Sequence, residues 1–372
     1  MSGANDLLSP LWRHPRQAPT FSVRDWELVL SQARRSRLLA RLAQQVLDLG
    51  IQAQLPSGAW RHLASELMLV QRQRAAVQRE VDCIGRALAH LDTPVVLLKG
   101  AAYLLADLPP ARGRVFNDID ILVDRRHIGA VETALLASGW ISHEQDAYNQ
   151  RYYRKWMHEL PPLTHATRHT VIDVHHTITP PTSRFAVDGA RLLPRVQPLP
   201  PGLVAGRVAV LDLPDMVLHS AAHLFGEGEF DHGLRDLLDM DDLLLHGEAS
   251  LPGFWALLMD RADALGLQVP LYHALAQVRR LFGTAPPPDL AARARALQPN
   301  AAARLSMGWA LEQALRPMHP SCDTPASAVA RFALYVRSHW IRMPAHLVLV
   351  HLVRKAWMRA FPPKDPNPTL TV

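Results

Sequence analysis

At 372 residues the chain exceeds what a single hydrophobic core fills, so two or three structural units are expected. Hydrophobic residues make up 48% and charged residues 20%, a balance that excludes a disordered or fibrous protein. The formal net charge of +6 suits a phosphate-bearing partner but forms no long basic run, so nucleic acid is compatible with the sequence and not indicated by it.

The first residues, MSGANDLLSPLWRHPRQ, lack the apolar stretch of a signal peptide. From 25 to 50 and again from 57 to 91, apolar residues recur at helical spacing, with Pro56 and Ser57 as a start signal for the second run. Asp-Thr-Pro at 92–94 breaks the pattern, and the short apolar run VVLL at 95–98 predicts a strand buried on both faces. A helix over 101–107, a loop over 108–114, a strand over 119–123 and a helix over 127–138 ended by Gly139 follow. VIDVH at 171–175 alternates like a strand with one wet face, a Pro-rich connection spans 179–201, and 207–211 is a further strand candidate. Beyond Pro214 the pattern turns helical, ending in a run over 325–360. The expected architecture is α+β, with an N-terminal helical segment (1–92), a small mixed-sheet core (93–212) and a larger all-helical C-terminal domain (213–372).

Two cysteines, Cys83 and Cys322, form neither a disulfide framework nor a zinc module, which suits a cytoplasmic protein. No segment approaches the roughly 20 apolar residues that cross a bilayer. The basic, apolar run 339–357 reads as a core helix in preference to a membrane-surface one, and Met68 and Trp309 read as packing residues.

The informative stretch is RVFNDIDILV at 114–123. Asp118 and Asp120 sit among β-branched and apolar residues, where an unpaired buried carboxylate costs several kcal/mol and a divalent cation offsets that cost. Residues i and i+2 of a strand project from one face, so these two carboxylates aim together, roughly 6 to 7 Å of chain apart. If the strand carrying Asp173 lies beside them, three carboxylates converge on one spot, a cluster suited to two hard ions such as Mg²⁺ or Mn²⁺. Upstream, LLKGA at 97–101 runs from a strand into a helix across Gly100, where backbone N–H groups and Lys99 meet an anion such as a triphosphate. Arg114 either folds its planar guanidinium over the same phosphates or neutralises Asp118, and Lys99 has the same alternative.

Strand, glycine turn, helix, D-x-D on a strand and a single Asp on a later strand together resemble the nucleotidyltransferase superfamily typified by DNA polymerase beta. More closely, LLKG at 97–100, R-x-x-x-D-I-D-I-L-V at 114–123 and V-I-D-V-H at 171–175 look like a bacterial family of uncharacterised nucleotidyltransferases, over about 90–250. The resemblance implies attack by an acceptor on the α-phosphate of a nucleoside triphosphate, with Asp118, Asp120 and Asp173 as metal ligands and Lys99, Gly100, Arg114 and His175 on the nucleotide side. It leaves the acceptor open among a small molecule, a sugar and a protein. One departure stands out: the superfamily carries Gly-Ser at the turn and this chain carries Gly100-Ala101, which leaves the phosphate to Lys99 and backbone amides. A rival reading is therefore a nucleotide-binding or scaffold protein that keeps the fold without turnover.

Elsewhere the bland readings are preferred. His219 and His223, four residues apart on one helix and followed by Asp239, Asp241 and Asp242, suggest a second metal site, but packing at an interface explains them more simply. Asp239 reads as the helix-face partner of Arg235, and Tyr152 to Trp156 as pocket lining or core. His158 joins His219 and His223 among positions where the resembling proteins carry similar residues.

Overall fold

A computed structural model describes residues 5–343 except 145 and 229. The chain opens with helices α1 (Leu8–Arg13), α2 (Val23–Arg35), α3 (Leu39–Asp48) and the long α4 (Ser57–Leu88). The expected helix over 25–50 is in fact two. It breaks where Arg37 takes a left-handed turn at φ +55° and the amide of Leu38 returns to the carbonyl of Ala33. Ser22 starts α2 through a reciprocal cap with Asp25.

The middle of the chain alternates strands and helices: β1 (Val95–Leu97), α5 (Lys99–Leu105), β2 (Asp118–Leu122), α6 (Ile128–Ala137), β3 (Trp140–Ser142), α7 (Ala147–Trp156), β4 (Leu163–His165), β5 (Val171–His175), β6 (Gln197–Pro198) and β7 (Val208–Val210). They form one mixed sheet in the order β3-β4-β5-β2-β1-β7-β6. Two pairings are parallel, β2 with β5 and β1 with β7, and the others are antiparallel.

The rest is helical: α8 (Leu213–Glu227), α9 (Gly233–Ser250), α10 (Phe254–Leu265), α11 (Gln268–Leu281), α12 (Ala291–Ala296), α13 (Ala301–Ala314) and α14 (Pro325–Arg342). Asp212 caps α8 by accepting from the amide of Asp215, with Pro214 in the first turn, where its missing N–H costs nothing. The expected helix over 325–360 is described as far as Arg342; the remainder, with most of the 339–357 run, lies outside the described residues.

One apolar core runs from Val81, Ile84 and Leu88 of α4 through the strands into Leu237 and Met240 of α9 and on to Leu334 of α14. A second, under α1 to α4, takes in Leu234 and Leu238 of α9. Helix α9 thus packs into both cores, which places its polar side chains over the sheet. Two expected packing residues are corrected: Met68 and Trp309 are exposed, at 62% and 46%.

Candidate active site

In the parallel ladder Asp120 pairs with Asp173, Asp118 with Val171 and Leu122 with His175. Laterally paired residues of a sheet point to the same side, so Asp118, Asp120, Asp173 and His175 share one face while Ile119, Ile121, Ile172 and Val174 fill the other. The three carboxylates expected to converge are thus brought together at the centre of the sheet. Asp118 is exposed, Asp120 is buried and Asp173 is half-buried with its Oδ1 enclosed and lacking a hydrogen-bond partner among the described residues.

Lys99 Nζ lies 3.3 Å from Asp120 Oδ1, and His175 Nε2 lies 3.0 Å from the same oxygen. Lys99 therefore pairs with Asp120, which corrects the alternative that paired it with Asp118. Burial pushes the Asp120 carboxyl up, but the Lys99 charge and the His175 hydrogen bond outweigh it and hold the group well below the usual carboxylate range. As an ionised acceptor Asp120 makes His175 Nε2 the donor. Burial lowers the imidazole's affinity for a proton, and the bond to Asp120 with the charge of Glu159 reverses that and raises it. Asp173 behaves oppositely: burial, then the facing charges of Asp120 and Glu159, push it up to about 7.

The turn that presents Lys99 differs in detail from expectation. Helix α5 begins at Lys99 itself, which sits at φ +45°, a conformation that costs a side chain of this kind on the order of 1 kcal/mol. The left-handed residue is the lysine, not the glycine beside it. Gly100 serves close approach: a Cβ there would lie 3.1 Å from Phe116 Cδ1 and 3.2 Å from Arg114 Nε.

Arg114 is buried against the Tyr103 ring, 5.6 Å from its centroid, and its ion-pair partner is Asp239 of α9, which corrects the alternative that paired it with Asp118. Asp239 also faces Arg41 at 3.6 Å, and Arg41 pairs with Asp242. Arg235 donates to Asp236 at 2.6 Å, so the helix-face pair with Asp239 is not made. Burial and the nearby Arg235 charge lower Arg114 to about 10, still cationic at neutral pH.

A cavity of about 280 Å³ opens between the β1–α5 turn and helices α8 and α9. Lys99, Gly100, Arg114, Asp118 and Asp120 line it on the sheet side, and His223, His232 and Arg235 on the helical side. Asp173 and His175 stand beside it, reached through Asp120. His219 is buried beneath the floor near Lys99 and Asp120, and burial with the Lys99 charge holds its proton affinity well below normal. Tyr152 and Trp156 pack edge to face on α7 and do not line this cavity.

The helical wall was only partly anticipated: His223 and the run Arg235-Asp-Leu-Leu-Asp239 stand out in the sequence, but read there as packing residues and a helix-face ion pair, not as cavity lining. Glu159, aligned with His175 through a lone antiparallel bridge, was missed for lack of any strand pattern around it.

The family model for uncharacterised nucleotidyltransferases matches residues 22–283. The chain belongs to that family. This nucleotidyltransferase therefore carries the family's pattern from α2 to α11, well beyond the 90–250 of the sequence resemblance, and it is an enzyme of that kind. No curated protein and no solved structure matches it. No helix among the described residues is long and apolar enough to cross a membrane.

Proposed function

We propose that this nucleotidyltransferase moves a nucleoside monophosphate from a nucleoside triphosphate to a hydroxyl of a small molecule, sugar or protein, in the manner of the polymerase-beta superfamily. The observation that carries the reading is the pairing of Asp120 with Asp173 across two parallel strands, with a buried Asp173 oxygen lacking a hydrogen-bond partner among the described residues and Asp118 on the same face. Three carboxylate oxygens of this kind fit a hard divalent ion, Mg²⁺ or Mn²⁺, held by Asp118, Asp120 and Asp173. Bound there, the ion supplies charge neutralisation at the transferring phosphoryl group.

The residues of the chain do the rest. Lys99, with Arg235 on the opposite wall beside His223 and His232, offers positive charge to the triphosphate in the cavity and takes the place of the missing turn serine. Lys99 also keeps Asp120 ionised. Asp173, on the strand beside Asp120, is placed to help take the acceptor's proton as its oxygen attacks the α-phosphorus and pyrophosphate leaves. Cys83 and Cys322 are free thiols, which suits a cytoplasmic setting.

The test is release of pyrophosphate from labelled triphosphates with Mg²⁺ or Mn²⁺ across panels of acceptors. The Asp118→Asn/Asp120→Asn protein is expected to lose at least a hundredfold in rate, and full transfer by that variant would sink the proposal. The rival, binding without turnover, predicts nucleotide retention and no pyrophosphate with any acceptor.

A further inference from the structure

Next to the carboxylate trio, His175 of β5 joins two residues outside the strand in a group of different chemistry. His158 and His175 are buried, at 5% and 1% exposure, and Glu159 stands between them. His158 Nε2 lies 3.8 Å from Glu159 Oε2, His175 Nδ1 lies 3.4 Å from the same oxygen, and the three ligand atoms fall within 4.8 Å of one another. An ion bound at about 2.0–2.2 Å by such donors holds neighbouring ligand atoms roughly 3.2–3.8 Å apart, so the preformed spacing needs only a small contraction.

Two further observations point to an ion. His175 Nδ1 is fully enclosed and has no hydrogen-bond partner among the described residues. Its other nitrogen, Nε2, donates to ionised Asp120 and leaves Nδ1 facing the Glu159 carboxylate, so an ion between them takes the place of the proton that this negative surrounding favours. Carboxylate behind imidazole in front of an ion is the arrangement that orients metal-ligating histidines. The backbone fixes the rest: the amide of His176 donates to the carbonyl of His158, and the amide of Leu160 donates to that of Val174, both at 2.9 Å.

We infer that His158, Glu159 and His175 form a binding site for a borderline transition ion, Zn²⁺ the one the donors favour, distinct from the hard-ion site of the three aspartates. Two imidazole nitrogens and one carboxylate oxygen select such an ion over Mg²⁺, which demands oxygen ligands. Three protein donors leave a coordination position open. An ion here ties residues 158–160 to β5 and cancels the negative charge that Glu159 presents to Asp173. The site stands whether or not nucleotidyl transfer proceeds as proposed, and the test below involves no turnover.

The full chain, stripped with chelator, is titrated with Zn²⁺ against a chromophoric indicator and separately with Co²⁺ under visible absorbance. One Zn²⁺ per chain is expected, with the four- or five-coordinate Co²⁺ bands of an N₂O donor set. Affinity should fall at least tenfold in His158→Gln and in Glu159→Gln, and stay within twofold in Asp118→Asn. Absence of Zn²⁺ binding, binding indifferent to both substitutions, or binding abolished by Asp118→Asn overturns the assignment. Should both site variants fail to fold by circular dichroism, the wild-type Co²⁺ spectrum decides: a weak octahedral spectrum overturns the site, an intense one upholds it.

Discussion

Asp173 titrates near 3.9 in an unfolded chain and near 7 in the folded one, because burial and the charges of Asp120 and Glu159 oppose its ionisation. The folded state therefore keeps a proton that the unfolded state gives up. The associated stability is whole below about pH 4 and is lost as the pH rises to about 7, a loss on the order of 4 kcal/mol in metal-free protein. Asp173→Asn abolishes that titration. Calorimetry without metal should find the variant unfolding several degrees above wild type at pH 8 and level with it at pH 4. Equal midpoints at pH 8 would show that the carboxylate is relieved in some other way. The three aspartates were legible because a strand's period of two and β-branched neighbours fix which side chains share a face. The partner of Arg114 was not, since Asp239 lies on a helix more than a hundred residues away and only tertiary packing brings it there.

Among elements, α9 has the most to hold in place. Asp239 lies between the buried guanidiniums of Arg114 and Arg41, and an uncompensated buried charge costs about 3–5 kcal/mol. Asp239→Asn should lower the urea midpoint accordingly, more than Asp242→Asn, because Asp242 faces Arg41 alone. Helix α4 meets the connection before β7 at a second tight point. A Cβ on Gly85 would fall 2.0 Å from the carbonyl oxygen of Ala205, and Gly206 makes the reciprocal approach at φ +77°. Gly85→Ala is expected to cost about 2–3 kcal/mol in denaturant unfolding, a value set by backbone that cannot yield. Strands β1, β2 and β5 were readable as apolar or alternating runs. Strands β3, β4 and β6 were not: unlike the equally short β1 and β7 they carry no continuous apolar run, and β3 and β6 lie at the sheet edges, where pairing comes from neighbours and not from local pattern. The stretch Tyr152 to Trp156 was noticed for its composition, but its helix was not foreseen.

At the scale of the whole molecule, the cavity has walls from both the sheet and the C-terminal helices, so a ligand bound there stabilises both at once. A triphosphate with Mg²⁺ at a hundred times its dissociation constant should add about 2.7 kcal/mol to stability and raise the unfolding midpoint by a few degrees. Differential scanning fluorimetry should show that shift in wild type and lose most of it in Asp118→Asn/Asp120→Asn; an undiminished shift would place the nucleotide elsewhere. The strand order carries a last implication, for biogenesis. Val95 of β1 pairs in parallel with Val208 of β7, so as the polypeptide leaves the ribosome one flank of β1 waits, unsatisfied, until residue 210 emerges. Closing so long a loop is slow. Nascent chains arrested before that point should therefore be the ones that recruit chaperones or aggregate, and the lysine turn that follows β1 becomes a finished binding surface only late in synthesis.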